Sequence, residues 1–242
     1  MKNYLTILFL LLAFSINATT ILVGKNKRHQ TITSALSFAK SGDTVLVDAG
    51  LYLEKNLIIT KPVVLKGIHH PVLDGEHKYE IISIKSPDVV VDGFKLQHSG
   101  VSSIIDYAGI KIYNVRNASI LNNIIDDAFF GIYAQYGTNC LIQNNTLTAK
   151  AKEEQQSGNG IHCWKSDSMR IIGNKISGHR DGIYFEFVTN SIIWRNTSFK
   201  NMRYGLHFMF SNNDTYAVNI FENNGAGVAV MFSNHVKMFG NY

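Results

Sequence analysis

Apolar residues recur along this chain in short runs, not in helical stripes. From residue 109 onward they follow one phrase: a Gly, an apolar residue, a variable residue, then another apolar residue. The copies begin at Gly109, Gly131, Gly160, Gly182, Gly205 and Gly227. An Asn follows each Gly at an offset of 14, as Asn123, Asn145, Asn174, Asn196, Asn219 and Asn241. The Gly-to-Gly spacings are 22, 29, 22, 23 and 22. A repeat of this length marks a solenoid, in which one unit buries too little apolar surface alone and stacking buries the rest. Leucine-rich repeats share the period but need a Leu ladder and a helical return. Here the return segments are β-branched, polar and Asn-rich. Three short strands per coil, each pairing with the coil below, fit this pattern. The expected fold is therefore all-β, a right-handed parallel β-helix over residues 19–242, with the coils clearest over 109–242.

The first part of the chain carries the same rhythm less regularly. Apolar runs at 20–23, 44–47, 57–60, 63–66, 81–84, 89–91 and 94–96 predict strands, with Gly and Pro turn signals between them. Residues 31–40 differ: Ile32, Ala35, Leu36 and Ala39 have helical spacing. Thr31 or Thr33 is the expected cap. A helix laid over the first coil would cover the open strand edge. The spacing of 29 is the normal length plus seven, and the surplus falls in the polar stretch 148–157, expected as an outer loop. The last residues, Asn241 and Tyr242, fall within a coil, so the expectation is that further chain or another element covers that edge.

The repeat also assigns roles and faces. Gly is expected to permit a tight bend and Asn to tolerate left-handed backbone at coil corners. Stacked Asn side chains can hydrogen-bond along the column. By alternation, offsets 1 and 3 from each Gly face inward, and offsets 2 and 4 face outward. Offset 2 reads Lys111, Tyr133, His162, Tyr184, His207, Ala229. Offset 4 reads Tyr113, Gln135, Trp164, Glu186, Met209, Met231.

Composition narrows the class. The chain has 242 residues, 45% of them hydrophobic. Residues 1–18 have a basic start at Lys2 and an apolar run to Ile16, the form of a secretory signal peptide. No later stretch reaches membrane-spanning length, so no membrane span is expected and the mature chain reads as exported. The remaining basic excess is mild and scattered, which argues against nucleic acid as a partner. Cys140 and Cys163 occupy different columns of the repeat, so they read as small buried hydrophobes and not as a disulfide.

An outward face of His, Tyr, Trp and Met reads as a binding surface. Met209 and Met231 fall on adjacent coils, and His207 lies two residues before Met209 on the same face. Thioether plus imidazole is a ligand set that soft Cu(I) prefers. His162 lies two coils below His207, about 10 Å away at the strand spacing, too far to share one ion easily. Metal binding, docking to another protein and packing under a neighbouring loop all remain open for these residues. Trp164, Tyr184, Glu186, His179 and Arg180 complete the expected surface. Glycoside hydrolysis needs two flanking carboxylates, and the outward columns offer only Glu186. Asp181, at the adjoining bend, is expected to pair with Arg180 or Arg203. No catalytic residues are therefore assigned.

Whole phrases carry a resemblance: GNGIHCW at 158–164, GHRDGIYFEF at 178–187, RYGLHFMFS at 203–211 and GAGVAVMFS at 225–233. These resemble the NosD family of periplasmic nitrous oxide reductase maturation proteins. SGDTVLVDAGLY at 41–52, KPVVLKG at 61–67 and PVLDG at 71–75 are similar to the wider pectin-lyase-like solenoids built from sugar-hydrolase-type repeats. The resemblance reads as covering essentially the whole mature chain. It implies a periplasmic protein that acts in copper-centre assembly and is not an enzyme. It implies as partners the permease and ATPase of an ABC transporter, a copper chaperone lipoprotein and nitrous oxide reductase, with copper at most transiently bound. It does not assign ligands. Family members are usually longer, so part of the protein is expected beyond Tyr242. The alternative is a β-helix that binds or modifies polysaccharides.

Overall fold

The computed structural model describes residues 18–102 and 104–242. The proposed signal segment lies, up to residue 17, outside the described residues. Among these residues, short parallel strands form three sheets of ten, eight and eight strands. Successive strands of a sheet belong to successive coils, so the chain is a parallel β-helix. The glycine phrases form one sheet. It includes Ala108–Tyr113, Phe130–Gln135, Ile161–Trp164, Ile183–Glu186, Tyr204–Met209 and Ala226–Met231. Its register pairs Ile132 with Ile161, Ile161 with Ile183, Ile183 with Leu206, and Leu206 with Val228.

The alternation of apolar residues places the core inside the coil. Ile161, Cys163, Ile183, Phe185, Leu206 and Phe208 are fully buried. Burying each of the larger side chains contributes about 1.5–3 kcal/mol. Both cysteines are free and buried. The last coil is more open, with Val230 and Phe239 exposed. No helix among the described residues is long and apolar enough to cross a membrane.

The helix forms at Ile32–Phe38, capped by Thr31, whose hydroxyl accepts from the Ser34 N–H at 3.2 Å. Seven residues make a marginal helix alone, so tertiary contacts must hold its ends. The Glu54 carboxylate accepts from the N–H groups of Ile32 (2.6 Å) and Thr33 (2.8 Å). Lys61 Nζ donates to the carbonyls of Ser37 (2.8 Å) and Ala39 (2.6 Å) at the other end. Ile32 and Ala35 are buried, and the helix packs on the strands Thr20–Val23 and Thr44–Val47.

The early strands differ in detail from the expectation. Leu51–Tyr52 and Val72–Asp74 are also strands, too short to stand out in an apolar pattern. Ladders begin at Val64, Ile82, Val90 and Lys95, one residue after the expected starts. Val63, Ile81, Val89 and Phe94 are buried at the bends instead.

The roles expected for the repeated Gly and Asn need correction. Left-handed backbone falls on the residue before each ladder Asn: Asn122, Asn144, Gly173, Arg195, Val218 and Gly240. The ladder Asn side chains point inward and hydrogen-bond. The Oδ1 of Asn196, for example, accepts from the N–H of Asn174 (2.9 Å) and from its Nδ2 (3.0 Å). Asn174 Nδ2 also donates to the Ile142 carbonyl at 2.9 Å. The same bonds link Asn123 to Asn145 to Asn174, and Asn196 to Asn219 to Asn241. The repeated Gly residues lack left-handed backbone. They are small because the next coil is close: a Cβ on Gly205 would lie 2.8 Å from the Gly227 carbonyl oxygen.

Candidate functional site

The outward side of the glycine sheet holds the residues singled out from the sequence. The offset-2 column is a continuous stack. Lys111 Nζ lies 4.7 Å over the Tyr133 ring. Tyr133 stacks on His162 at 4.5 Å, His162 meets Tyr184 at 4.8 Å, and Tyr184 meets His207 at 4.6 Å. Stacking closes off the column, and rings from the bends add cover. Phe130 lies against Tyr133 and His162, and Tyr204 lies against His207. Lys111, Tyr133, His162 and His207 are consequently buried, although they point away from the core. This corrects the expectation of an open face along that column. Tyr184, Ala229 and the offset-4 residues are partly open.

Trp164, Arg180, Tyr184 and Glu186 line one cleft of about 540 Å3. Its walls come from two excursions of the chain. Ser102 and Asp106 belong to the segment leading into Tyr107. Glu154 and Gln155 belong to the polar insertion, which contains the 3-10 turn Glu154–Gln156. The insertion is thus a cleft wall as well as an outer loop. Four of the five expected surface residues meet here. His179 does not: it is wholly buried, with its N–H donating to Asn201 Oδ1 at 3.1 Å. Burial pushes its imidazole down to about 3, so it is neutral. Its neighbours Gly178, Arg180 and Asp181 could not reveal this, because the Asn201–Asn224 ladder that covers it is a second, shorter one.

Electrostatics inside the cleft are uneven. His162 Nε2 lies 3.7 Å from Glu186 Oε2. Burial pushes the His162 imidazole down, and that imidazole holds the Glu186 carboxyl below its ordinary range. Arg180 Nε is buried without a hydrogen-bond partner among the described residues.

Beyond the cleft, His207 and Met209 share one strand and Met231 lies on the next coil, in the register that the repeat predicts. Met209 and Met231 are register partners, and His207 pairs with Ala229. Asp181 is buried at the bend below. Its Oδ2 lies 3.3 Å from His207 Nδ1, and its Oδ1 lies 3.4 Å from Arg203 Nε. Of the two arginines expected for Asp181, Arg203 is the one it meets. His207 Nε2 is buried and has no partner among the described residues. A carboxylate on one ring nitrogen and a free second nitrogen is the usual arrangement of a metal-ligating His. His162 is two register steps from His207 and lies in the cleft, apart from this group.

Sequence reading missed the neighbouring column. Phe187, Phe210 and Phe232 all have left-handed backbone and are exposed. Their rings stack at 5.1 and 5.0 Å. An aromatic residue at offset 5 in three consecutive copies was the available signal. Such backbone costs about 1–2 kcal/mol per residue.

Residues 148–242 match the family described as "Periplasmic copper-binding protein (NosD)". The resemblance to the NosD family is thereby shown, over a narrower span than the whole mature chain. The chain is 27% identical over 129 residues to "Probable ABC transporter binding protein NosD" of Pseudomonas aeruginosa, covering 52% of this chain and 30% of that protein. It is 27% identical over 136 residues to the protein of the same name from Stutzerimonas stutzeri, covering 55% and 31%. The matched stretch thus spans under a third of the length of these relatives. Among solved structures, the fold is similar to a Yersinia enterocolitica family 28 exopolygalacturonase (TM-score 0.61, 12% identity, 93% of this chain and 61% of that one). It is also similar to the Azotobacter vinelandii mannuronan C-5 epimerase AlgE4 A-module (0.59, 13%, 86% and 70%). A third is PfbA, a surface adhesin of Streptococcus pneumoniae (0.58, 11%, 86% and 74%). These likenesses show the pectin-lyase-like β-helix and nothing of the chemistry.

Proposed function

We propose that this chain is the β-helix part of a NosD-like periplasmic accessory protein that supports assembly of the copper centres of nitrous oxide reductase. In this reading Cu(I) is cargo, held transiently by His207, Met209 and Met231. The observation that carries it is the buried, unpartnered His207 Nε2, anchored through Nδ1 by Asp181 and placed beside two register-paired methionines. These residues lie inside the stretch that matches the copper-binding family. The partners are an ABC transporter permease with its ATPase, a copper chaperone lipoprotein and the reductase. The exposed Phe187–Phe210–Phe232 stack beside the methionines supplies a docking edge for one of them.

The test is an anaerobic Cu(I) competition titration against a calibrated chelator, on the mature chain and on a Met209→Ala, Met231→Ala double variant. The expected result is near-stoichiometric binding that the variant loses. Equal binding by both, or none by either, removes the proposed site.

The Trp164–Glu186 cleft favours a second reading, a polysaccharide-binding β-helix. A flat ring beside an unpartnered Arg180 Nε suits an acidic sugar. Retention on immobilised uronate polymers, lost in Arg180→Ala, would support it over the copper reading.

A further inference from the structure

A second cluster lies at a different corner of the β-helix, away from the glycine sheet. His77, His98 and Asp127 occupy the corner after the strands Val72–Asp74, Lys95–Gln97 and Ile124–Asp126 of three successive coils. All three have left-handed backbone, with φ of 56°, 54° and 55°. The His77 N–H donates to the His98 carbonyl at 2.8 Å. The repeated corner therefore projects three side chains from neighbouring coils into one region. One ligand atom from each lies within 4.8 Å of the others.

His and Asp tolerate left-handed backbone better than most residues, so the corner alone explains their presence. It does not explain how they are supported. Asp74 lies beneath His98 and accepts from its Nδ1–H, with distances of 3.0 and 3.1 Å to the two carboxylate oxygens. Asp74 is itself fixed by Gln97 Nε2 (2.8 Å) and the Glu76 N–H (2.8 Å). This tautomer leaves His98 Nε2 with its lone pair outward. Carboxylate support of that kind is what metal-ligating imidazoles ordinarily have. The His77 ring lies 4.5 Å from the His98 ring and is exposed, so it is free to turn. Lys150 is taken by Asp126 at 3.1 Å, which leaves the Asp127 carboxylate without an ion pair among the described residues.

We propose that His77, His98 and Asp127 bind one divalent cation of the Zn2+ and Cu2+ class, with Asp74 as the residue that positions His98. Two imidazoles and a carboxylate suit such borderline ions, and thioether is absent, so Cu(I) is disfavoured. Donors around a tetrahedral ion with bonds of about 2.0–2.2 Å lie roughly 3.4 Å apart. Three protein ligands leave a fourth position for water or a group from a partner. This site is independent of His207, Met209 and Met231, and either can fail without the other.

The experiment uses tag-free mature protein, titrated with Zn2+ by calorimetry and with Cu2+ followed by electron paramagnetic resonance. The expected result is one tight equivalent, with nitrogen coupling from two imidazoles in the Cu2+ spectrum. His77→Ala and Asp127→Asn each weaken binding at least tenfold, and His77→Ala removes one nitrogen coupling. Asp74→Asn weakens it about 10–100-fold, with melting temperature unchanged in His77→Ala as the check on folding. Met209→Ala, Met231→Ala leaves it unchanged. Absence of a tight equivalent in the parent protein, or binding kept within twofold in His77→Ala, overturns the proposal.

Discussion

Nδ1 of His207 lies 3.3 Å from Oδ2 of Asp181, which reaches it from the bend of the coil below. The carboxylate selects the tautomer with hydrogen on Nδ1 and leaves Nε2 as an acceptor. The Arg203 guanidinium on its other oxygen keeps Asp181 from turning away. Asp181→Asn should therefore weaken Cu(I) binding by about 10–100-fold, while far-UV circular dichroism stays that of a β-helix. Unchanged affinity in the competition titration would remove His207 from the ligand set.

Asn174 sits in the middle of the amide ladder. Its Oδ1 accepts from the Asn145 N–H and Nδ2, both at 3.0 Å. Asn174→Ala leaves the buried Asn145 N–H without its acceptor and takes one bond each from Asn145 Nδ2, which keeps the Ile120 and Gln143 carbonyls, and from the Ile142 carbonyl. A buried unsatisfied group costs about 1–3 kcal/mol and the lost bonds add to it, so the loss should be on the order of 2–4 kcal/mol. Urea unfolding measures it. A loss near zero would mean that water replaces the amide.

Gly205 and Gly227 make a matched pair. A Cβ on Gly205 would lie 2.7 Å from Asn224 Nδ2, and 2.8 Å from both the Gly227 oxygen and the Phe221 ring. On Gly227 the nearest atom is Phe221 Cβ at 3.7 Å. Gly205→Ala should destabilise by about 1–3 kcal/mol, as overpacking does, whereas Gly227→Ala should be nearly neutral. Equal melting shifts in the two variants would contradict the close-approach explanation.

Val218 is β-branched, yet its φ is 56°. Its equivalents two and three coils away are Gly173 and Asn144, and all hold left-handed backbone. Its side chain is exposed, so little packing offsets the strain. Val218→Asn should stabilise by about 1 kcal/mol, read from the denaturation midpoint.

Asp214 and His179 predict opposite pH slopes. Burial raises the Asp214 carboxyl to about 7, although its Oδ1 accepts from the Ser191 N–H at 2.8 Å. Between about pH 4 and 7 the folded state then holds a proton that the unfolded chain releases, so stability falls as pH rises. His179, held at about 3 by burial, stays neutral while the unfolded chain protonates below about 6.5. Its contribution is lost as pH falls through that range. Asp214→Asn should remove the first slope only. Stability of the variant relative to the parent should rise from pH 4 to pH 7 in parallel denaturation series. A flat difference would show Asp214 to be ionised when folded.

Much of this protein is set by its sequence alone, because a solenoid turns sequence offsets into space. Equal offsets from each Gly become columns, so the pairing of Met209 with Met231 and the line from Asn123 to Asn241 followed from counting. Inward and outward sides followed from alternation, and the NosD resemblance lay in phrases that the columns do not require. What counting does not contain is the depth of a side chain and what lies over it. His162 and His207 point away from the core and are still buried, because rings of neighbouring coils cover each other and Phe130 and Tyr204 fold over them. His179 is buried by a second Asn ladder, and the insertion becomes a cleft wall only where it meets Asp106. The repeated Gly answers to the distance of the next coil, and left-handed backbone sits one residue before each ladder Asn. The gathering of His77, His98 and Asp127 was also hidden: His98 and Asp127 directly follow the register partners Gln97 and Asp126, but His77 lies three residues after their partner Asp74, and these coils differ in length. Contacts across coils of unequal length depend on where the chain turns, and only the tertiary structure decides that.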